Sequence, residues 1–281
     1  MKIKEAIAAT YKALEESELD NPALEARILL GHVTGHSAEY LITHKDEDIS
    51  ENQAALLRAA AQRRCKLEPI AYITGSKEFF GREFIVNSNV LIPRPDSEIL
   101  VESVLADYKE NTDLNILDLG TGSGCLIITL LLELNNATGI GVDVEPEALD
   151  VAKANMAKHH TPNLELLLSN WFSALKHSKN FDIIVANPPY ISSSVNVARE
   201  TMLHEPHTAL FAKKNGLEAY EVIAKSAKEF LKPKGCLYLE IGYDQEKSVT
   251  DLYAEHGYDL KSKAYDLARH VRCLKFECTN L

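Results

Sequence analysis

The chain has 281 residues, 46% hydrophobic and 25% charged, both near globular averages, which excludes a disordered tail, a collagen-like fibre and a coiled-coil rod. At roughly 150 residues per domain the length suggests about two domains. Thirty basic against 41 acidic residues leave a formal charge of −11, which disfavours binding to nucleic acid or an anionic membrane through bulk charge.

The N-terminal stretch carries charges within its first turns, and no apolar run approaches the roughly 20 residues of a membrane span, so no membrane partner is expected. The five cysteines, Cys65, Cys125, Cys236, Cys273 and Cys278, are scattered without a CxxC pair. Neither a disulfide framework nor a metal site is expected, and a reducing, cytoplasmic location follows.

Ile3, Ile7, Tyr11 and Leu14 recur at helical spacing. Asn21-Pro22 opens a second helix, with Asn as N-cap and Pro at the first helical position, carrying Leu24, Ile28, Leu29 and Val33. Ser50 and Gln53 form a capping box ahead of an alanine-rich helix to about Cys65. Arg58, Arg63, Arg64 and Lys66 read as a solvated face of that helix. An all-helical bundle is expected over residues 1–74.

From Pro69 to Pro95 aromatic and β-branched stretches take over: Ala71-Tyr72-Ile73-Thr74, Phe79-Phe80-Gly81 and Glu83-Phe84-Ile85-Val86. They predict a strand-rich connector with a β-hairpin, assigned to 75–92. A further domain, 93–281, opens with an amphipathic helix after Pro95. Apolar runs then alternate with helical segments: 116–119, 139–143, 164–168, 182–186 and 236–241. Such alternation predicts an α/β fold with a doubly wound, mostly parallel sheet, and Tyr258 to Phe276 supplies two more edge strands.

The first of these strands runs into Asp118-Leu119-Gly120-Thr121-Gly122-Ser123-Gly124, a glycine-rich turn at the carboxyl end of a strand, where open α/β sheets bind ligands. Its spacing is G-x-G-x-G, whereas a dinucleotide fingerprint requires G-x-G-x-x-G, which counts against a dehydrogenase. The next strand ends in Asp143, placed to accept hydrogen bonds from ribose hydroxyls. An N-cap role for the helix near Pro146 is the alternative. The 182–186 strand ends in Asn187-Pro188-Pro189-Tyr190. Prolines have no N–H to donate, so their carbonyls and the Asn187 amide oxygen present rigid acceptors that suit a planar NH2 group. None of the ten histidines stands in a nucleophilic triad.

These residues resemble the class I S-adenosylmethionine-dependent methyltransferases that act on nitrogen. Glu68-Pro69-Ile70-Ala71-Tyr72-Ile73-Thr74-Gly75, Phe79-Phe80-Gly81, Leu91-Ile92-Pro93-Arg94-Pro95-Asp96-Ser97-Glu98, Ser169-Asn170-Trp171-Phe172 and Asn187-Pro188-Pro189-Tyr190-Ile191 are similar to motifs of the HemK/PrmC family of release-factor glutamine methyltransferases. The resemblance spans essentially the whole chain. It implies a seven-stranded methyltransferase sheet and methyl transfer from S-adenosyl-L-methionine, leaving S-adenosyl-L-homocysteine, to N5 of the glutamine in the Gly-Gly-Gln motif of peptide-chain release factors. No metal is implied.

By the same resemblance Gly120, Thr121, Gly122, Ser123 and Gly124 wrap the methionine and ribose part of the donor. Asp143 holds the ribose and Trp171 lies against adenine. Asn187 adjoins the cofactor, and with the Pro188 carbonyl it accepts the glutamine amide hydrogens. Pro189 and Tyr190 shape the substrate slot, with Arg94-Pro95 and Glu205-Pro206 at its edge or, equally, serving only to stiffen loops. Asn187, Pro188 and Tyr190 are the expected catalytic set. The helical bundle is expected to recognise the protein substrate, and the enzyme to be a monomer.

Two positions depart from the family pattern: Asn170, where relatives often carry Asp, and Arg269, where a glycine is usual. Rival targets for the same chemistry are a ribosomal-protein glutamine and the exocyclic amine of adenine (N6) or cytosine (N4). A nucleic-acid substrate asks for a basic cleft that the charge balance does not offer.

Overall fold

The computed structural model describes residues 1–17, 19–110, 113–176 and 180–279. Two compact units emerge: Met1–Ser76 together with Val197–His204, and Lys77–Asn196 together with Glu205–Leu281.

The first unit is helical. Helices Ile3–Glu15, Pro22–Thr34, Ala38–Thr43 and Glu51–Cys65 are followed by the short helix Ile70–Thr74. The Asn21 cap accepts from the Leu24 N–H, and the reciprocal Ser50–Gln53 capping box is formed. The core contains Ile3, Leu14, Leu29, Leu30, Leu41, Leu57 and Ile73. Tyr11, Leu24 and Ile28, part of the apolar periodicity, lie exposed instead. Small residues take the buried positions nearby: Ala6, Thr10 and Ala26 let the helices approach closely.

Two expectations are corrected in this unit. Ala71-Tyr72-Ile73-Thr74 is helical rather than strand-like: Ala71, Tyr72 and Ile73 are all buried, Thr74 Oγ1 donates back to the Ile70 carbonyl, and Gly75 ends the helix in the left-handed region. Burial of three side chains on one turn outweighs β propensity. Arg64 is not on a solvated face. Its buried guanidinium bridges Glu25 at 2.6 Å and Glu200 at 2.8 Å. Glu200 lies on the helix Arg199–His204, so residues 197–204, assigned to the α/β domain by chain order, cluster with the helices.

The second unit opens with the hairpin β1 (Ser76–Phe79, begun at the last residue of the helical unit) and β2 (Arg82–Ile85), whose Phe79 and Phe84 rings meet edge-to-face at 6.1 Å. Its main sheet comprises β3 (Asn115–Leu119), β4 (Thr138–Asp143), β5 (Leu164–Leu168), β6 (Phe181–Ala186), β9 (Leu231–Glu240), β10 (Tyr258–Tyr265) and β11 (Val271–Cys278). The strand order is β10-β11-β9-β6-β3-β4-β5, with β11 antiparallel to both neighbours and the other pairings parallel. A separate two-residue pairing joins β7 (Ile191–Ser192) to β8 (Phe211–Ala212). This is the seven-stranded methyltransferase-like arrangement that was expected.

Alternation along the strands sorts side chains to two faces. Leu117, Leu119, Ile184, Ala186, Leu237 and Leu239 face the helices Glu218–Ser226 and Glu246–Glu255, represented by Tyr220, Ile223, Val249 and Tyr253. Ile116, Ile183, Val185 and Tyr238 face the helices Glu98–Tyr108 and Cys125–Glu133. With both faces covered the strands are apolar almost throughout.

From central β3 the chain winds through β4 to β5, then crosses to β6 on the other side. The reversal opens a crevice at the carboxyl ends of β3 and β6, where the glycine turn and Asn187 begin. Buried Asn155 ties this crevice to the hairpin. Its Oδ1 accepts from the Ile85 N–H at 2.7 Å, and its Nδ2 donates to the Ile85 and Ser123 carbonyls at 2.9 Å each. Asn155→Ala strands these groups, and a loss of about 2–4 kcal/mol is expected, read as a lower urea midpoint at unchanged slope.

Candidate active site

The turn after β3 is held by its own backbone. The Gly120 and Thr121 N–H groups both donate to the Val142 carbonyl at 2.9 Å, drawing the turn over the end of β4. Gly120, Gly122 and Gly124 have φ of +74°, +53° and +79°, a region costly for side chains bearing a Cβ. A Cβ on Gly120 or Gly122 would meet nothing within 4 Å, so the space beside the turn is open. Gly124 differs, because a Cβ there would press on Ile128 at 3.0 Å and Ala152 at 3.5 Å.

Asp143, at the end of β4, accepts from the Gly122 N–H with one carboxylate oxygen (2.8 Å) and from the Glu145 N–H with the other (3.1 Å). It thus fixes the glycine turn, and each oxygen retains a lone pair for a ligand. The helix cap is Glu145, not Asp143. Asp118 lies fully buried below the turn, accepting from Thr121 Oγ1 at 2.6 Å while its Oδ1 has no partner. Burial, reinforced by Asp143, pushes its carboxyl up to about 7. Trp171 stands in the left-handed region at φ 52°, half-buried, its carbonyl accepting from Ser169 Oγ at 2.8 Å.

Asn187 leaves β6 and donates from Nδ2 to the buried Ser97 Oγ at 3.1 Å, so its amide oxygen is the half left for a ligand. The Tyr190 carbonyl accepts from Gln245 Nε2 at 3.1 Å. Gly216 follows Lys214 and Asn215, both left-handed, and a Cβ on it would stand 2.1 Å from the Tyr190 carbonyl oxygen. This approach braces the segment after Asn187 from behind. At the rim, the buried Glu205 carboxylate accepts from Ile92 N–H at 3.1 Å and Arg94 Nη2 at 2.5 Å, joining the 92–94 stretch to Pro206.

One cavity, partly open to solvent, collects most of these groups. Of the sequence-predicted residues, Gly120, Thr121, Gly122, Ser123, Asp143, Trp171, Asn187 and Pro189 line it. Arg94 and Pro206 do so too, as does Asn170. Gly124, Pro188 and Tyr190 are not in the lining: Gly124 packs on the neighbouring helices, Pro188 is buried, and Tyr190 packs on the apolar core. Burial raises the Tyr190 phenol, which therefore stays neutral at physiological pH.

Sequence reasoning passed over Ser97, Gly216, Gln245 and Glu240 as site residues. For Gly216 the Asn-Gly pair was a turn signal, and for Glu240 an acid inside Tyr238-Leu239-Glu240-Ile241 was the anomaly. The open glycine turn and the ribose-competent Asp143 together fit a donor that carries ribose hydroxyls, as S-adenosyl-L-methionine does.

Residues 5–75 match the family described as PrmC N-terminal domain, and residues 110–272 match a methyltransferase domain family. A protein of Agrobacterium fabrum named release factor glutamine methyltransferase is 36% identical over 96% of this chain and 95% of its own. The chain belongs to the release factor glutamine methyltransferase family. A Rickettsia conorii protein named bifunctional methyltransferase is 44% identical over 99% of this chain but 58% of its own length. The chain thus spans little more than half the length of such relatives. A methyltransferase structure from Pyrococcus furiosus superposes with TM-score 0.54 at 19% identity, covering 83% of this chain and 100% of that one, a likeness of fold. Arg269 adopts φ 67°, a left-handed conformation that glycine takes without strain.

Proposed function

We propose that the protein methylates N5 of the glutamine in the Gly-Gly-Gln motif of peptide-chain release factors, taking the methyl from S-adenosyl-L-methionine and leaving S-adenosyl-L-homocysteine. The observation that carries this reading is the Asn187 amide, turned by Ser97 so that its oxygen is available in the cavity shared with the glycine turn and Asp143.

The donor supplies a methyl group on a positively charged sulfur. Gly120 to Ser123, Asp143 and Trp171 hold its body, and Pro189 and Ala209 add apolar lining. Asn187 Oδ1 accepts one glutamine N–H bond, and the resemblance adds the carbonyl of Pro188, a residue buried just outside the cavity lining, as acceptor of the other; together they fix the nitrogen in place and aim it at the methyl carbon. An amide nitrogen is a weak nucleophile because its lone pair is delocalised. Acceptors on both hydrogens stabilise the positive charge that develops as the nitrogen–carbon bond forms and the carbon–sulfur bond breaks with its electron pair passing to sulfur. The methylated nitrogen then releases one proton to water. No strong base is required before the transfer.

The helical unit is the part proposed to choose the protein substrate. It exposes Leu24, Ile28, Ile42, Leu56, Met202 and Leu203, apolar side chains that a protein surface could cover. A monomer in the cytoplasm, where release factors act, completes the proposal.

The experiment is incubation with S-adenosyl-L-methionine and a release factor, alongside a release factor lacking the Gly-Gly-Gln glutamine, with methyl sites mapped by peptide mass spectrometry. One methyl on that glutamine, absent from the variant, is expected. Cofactor binding without that methyl would overturn the release-factor target and direct the search to a ribosomal protein or an exocyclic base amine.

A further inference from the structure

Glu240 closes β9 as a carboxylic acid among apolar neighbours, and its side chain is 2% exposed. A buried acid without a cation in contact is rare and costly. Its Oε2 has no partner. The parallel pairing of β6 with β9 puts Ala186 opposite Leu239, which sets Glu240 beside Asn187 at the strand ends, and the Ser97 and Asn187 side chains act to hold its carboxyl down. Ser97 in turn accepts from Asn187 Nδ2. Asn187, Ser97 and Glu240 thus form one chain of polar groups running from the cavity wall into the sheet. An asparagine amide has two halves of nearly equal shape, one donating and one accepting. A carboxylate only accepts, so it selects the NH2 half of any amide turned towards it.

We propose that Glu240 is a positioning residue that orients the Asn187 amide: its carboxylate holds Nδ2 and the Ser97 hydroxyl inward, which turns Asn187 Oδ1 to the substrate amide. The assignment rests on the reading of Asn187 as an acceptor for a planar NH2 group. Protonation of Glu240 adds a donor that no longer selects the NH2 half. Burial pushes this carboxyl up to about 7, against the opposing hydrogen bonds from Ser97 and Asn187. The orienting effect is therefore present above that pH and lost as pH falls through it.

The charged groups facing Glu240 are Asp96 and Arg272, themselves paired at 2.9 Å. Tyr190, Tyr220, Cys125 and Cys273 also feel its charge, and burial raises all four, so they stay neutral through the range in question.

Glu240→Gln keeps the shape and removes the carboxylate. Its S-adenosyl-L-methionine Kd, measured by calorimetry, is expected within about twofold of wild type, with kcat reduced about 10- to 100-fold. The part of the wild-type fall in kcat below pH about 7 that belongs to Glu240 is expected to be absent from the variant, so that its profile is shallower, while a limb due to Asp118, itself pushed up to about 7, remains in both. Because an ionised buried carboxylate is disfavoured in the fold, stability is lost as pH rises through its raised value. The Gln variant should accordingly melt no earlier than wild type at pH 8, separating loss of turnover from misfolding. Wild-type kcat and pH profile in Glu240→Gln would overturn the assignment.

A readout independent of turnover keeps the two readings apart. In 1H–15N spectra the Asn187 side-chain amide should shift with pH near 7 in wild type and not in Glu240→Gln. That result with no methyl on the release-factor glutamine would sink the substrate and keep the positioning. An Asn187 signal indifferent to pH would sink the positioning whatever the substrate.

Discussion

Asn187→Ala should bind S-adenosyl-L-methionine within about threefold of wild type and turn over about 10²- to 10³-fold more slowly, the usual range for losing one preorganised group at the developing charge. The asymmetry follows from what Asn187 touches. In the proposed reading the donor's body rests on the glycine turn, Asp143 and Trp171, which line the cavity and survive the change, whereas the amide oxygen left by the Ser97 contact is kept for the substrate nitrogen. Asn187→Asp is the sharper companion. It keeps an acceptor of the same size but loses the hydrogen that Nδ2 gives to Ser97, and it sets a second carboxylate beside Glu240. Like charges in a buried site disfavour joint ionisation, so Asp should rescue little of the loss. Radiolabelled methyl transfer at saturating donor, with calorimetric Kd in parallel, reads both quantities. Turnover of the Ala variant within threefold of wild type would remove Asn187 from the reaction.

Gly216→Ala is expected to cost about 2–5 kcal/mol of stability, combining a left-handed conformation for a residue with a Cβ and overpacking in a closed site. At φ +85° the new methyl stands 2.1 Å from the Tyr190 carbonyl oxygen and 2.6 Å from Gln245 Nε2, far inside contact distance. Something must move, and the nearest thing able to move is the segment after Asn187. A displacement on the order of 1 Å there costs about 10²-fold in rate, so folded protein should show normal donor binding and depressed kcat. Gly81→Ala is the control. Its φ is +72° and a Cβ there meets nothing within 4 Å, so only the conformational cost of about 1–2 kcal/mol should appear, with kcat untouched. Urea midpoints and turnover measured on both variants separate the close approach from the backbone angle. Equal losses in the two would contradict the bracing role.

Much of the site was legible because its chemistry is written in short, local stretches. The glycine turn from Gly120 to Gly124 needs positive φ at alternate positions, and a chain with glycine there declares the turn before any fold is known. Asn187-Pro188-Pro189-Tyr190 likewise states its lack of backbone donors in its letters. What was not legible was membership of the cavity. Pro188, Pro189 and Tyr190 are consecutive, yet only Pro189 lines the space, since a turning backbone sends successive side chains in different directions. Gly124 belongs to the same pattern as Gly120 and Gly122 but serves packing against Ile128 and Ala152. In the helical unit, Ala71-Tyr72-Ile73-Thr74 looked like a strand because β-branched and aromatic residues prefer pleats. One helical turn with three buried side chains won.

By itself the sequence determined the α/β class, most of the element types and the family, because hydrophobic period and motif spacing are properties of neighbours along the chain. Only the tertiary structure decided what stands behind those residues. Ser97, Gly216 and the Glu240–Gln245 stretch come from three separate segments, and Arg64 meets Glu200 across 136 positions of chain. Such contacts depend on sheet order and crossover connections, which bring distant residues within bonding reach without leaving any periodic trace in the sequence.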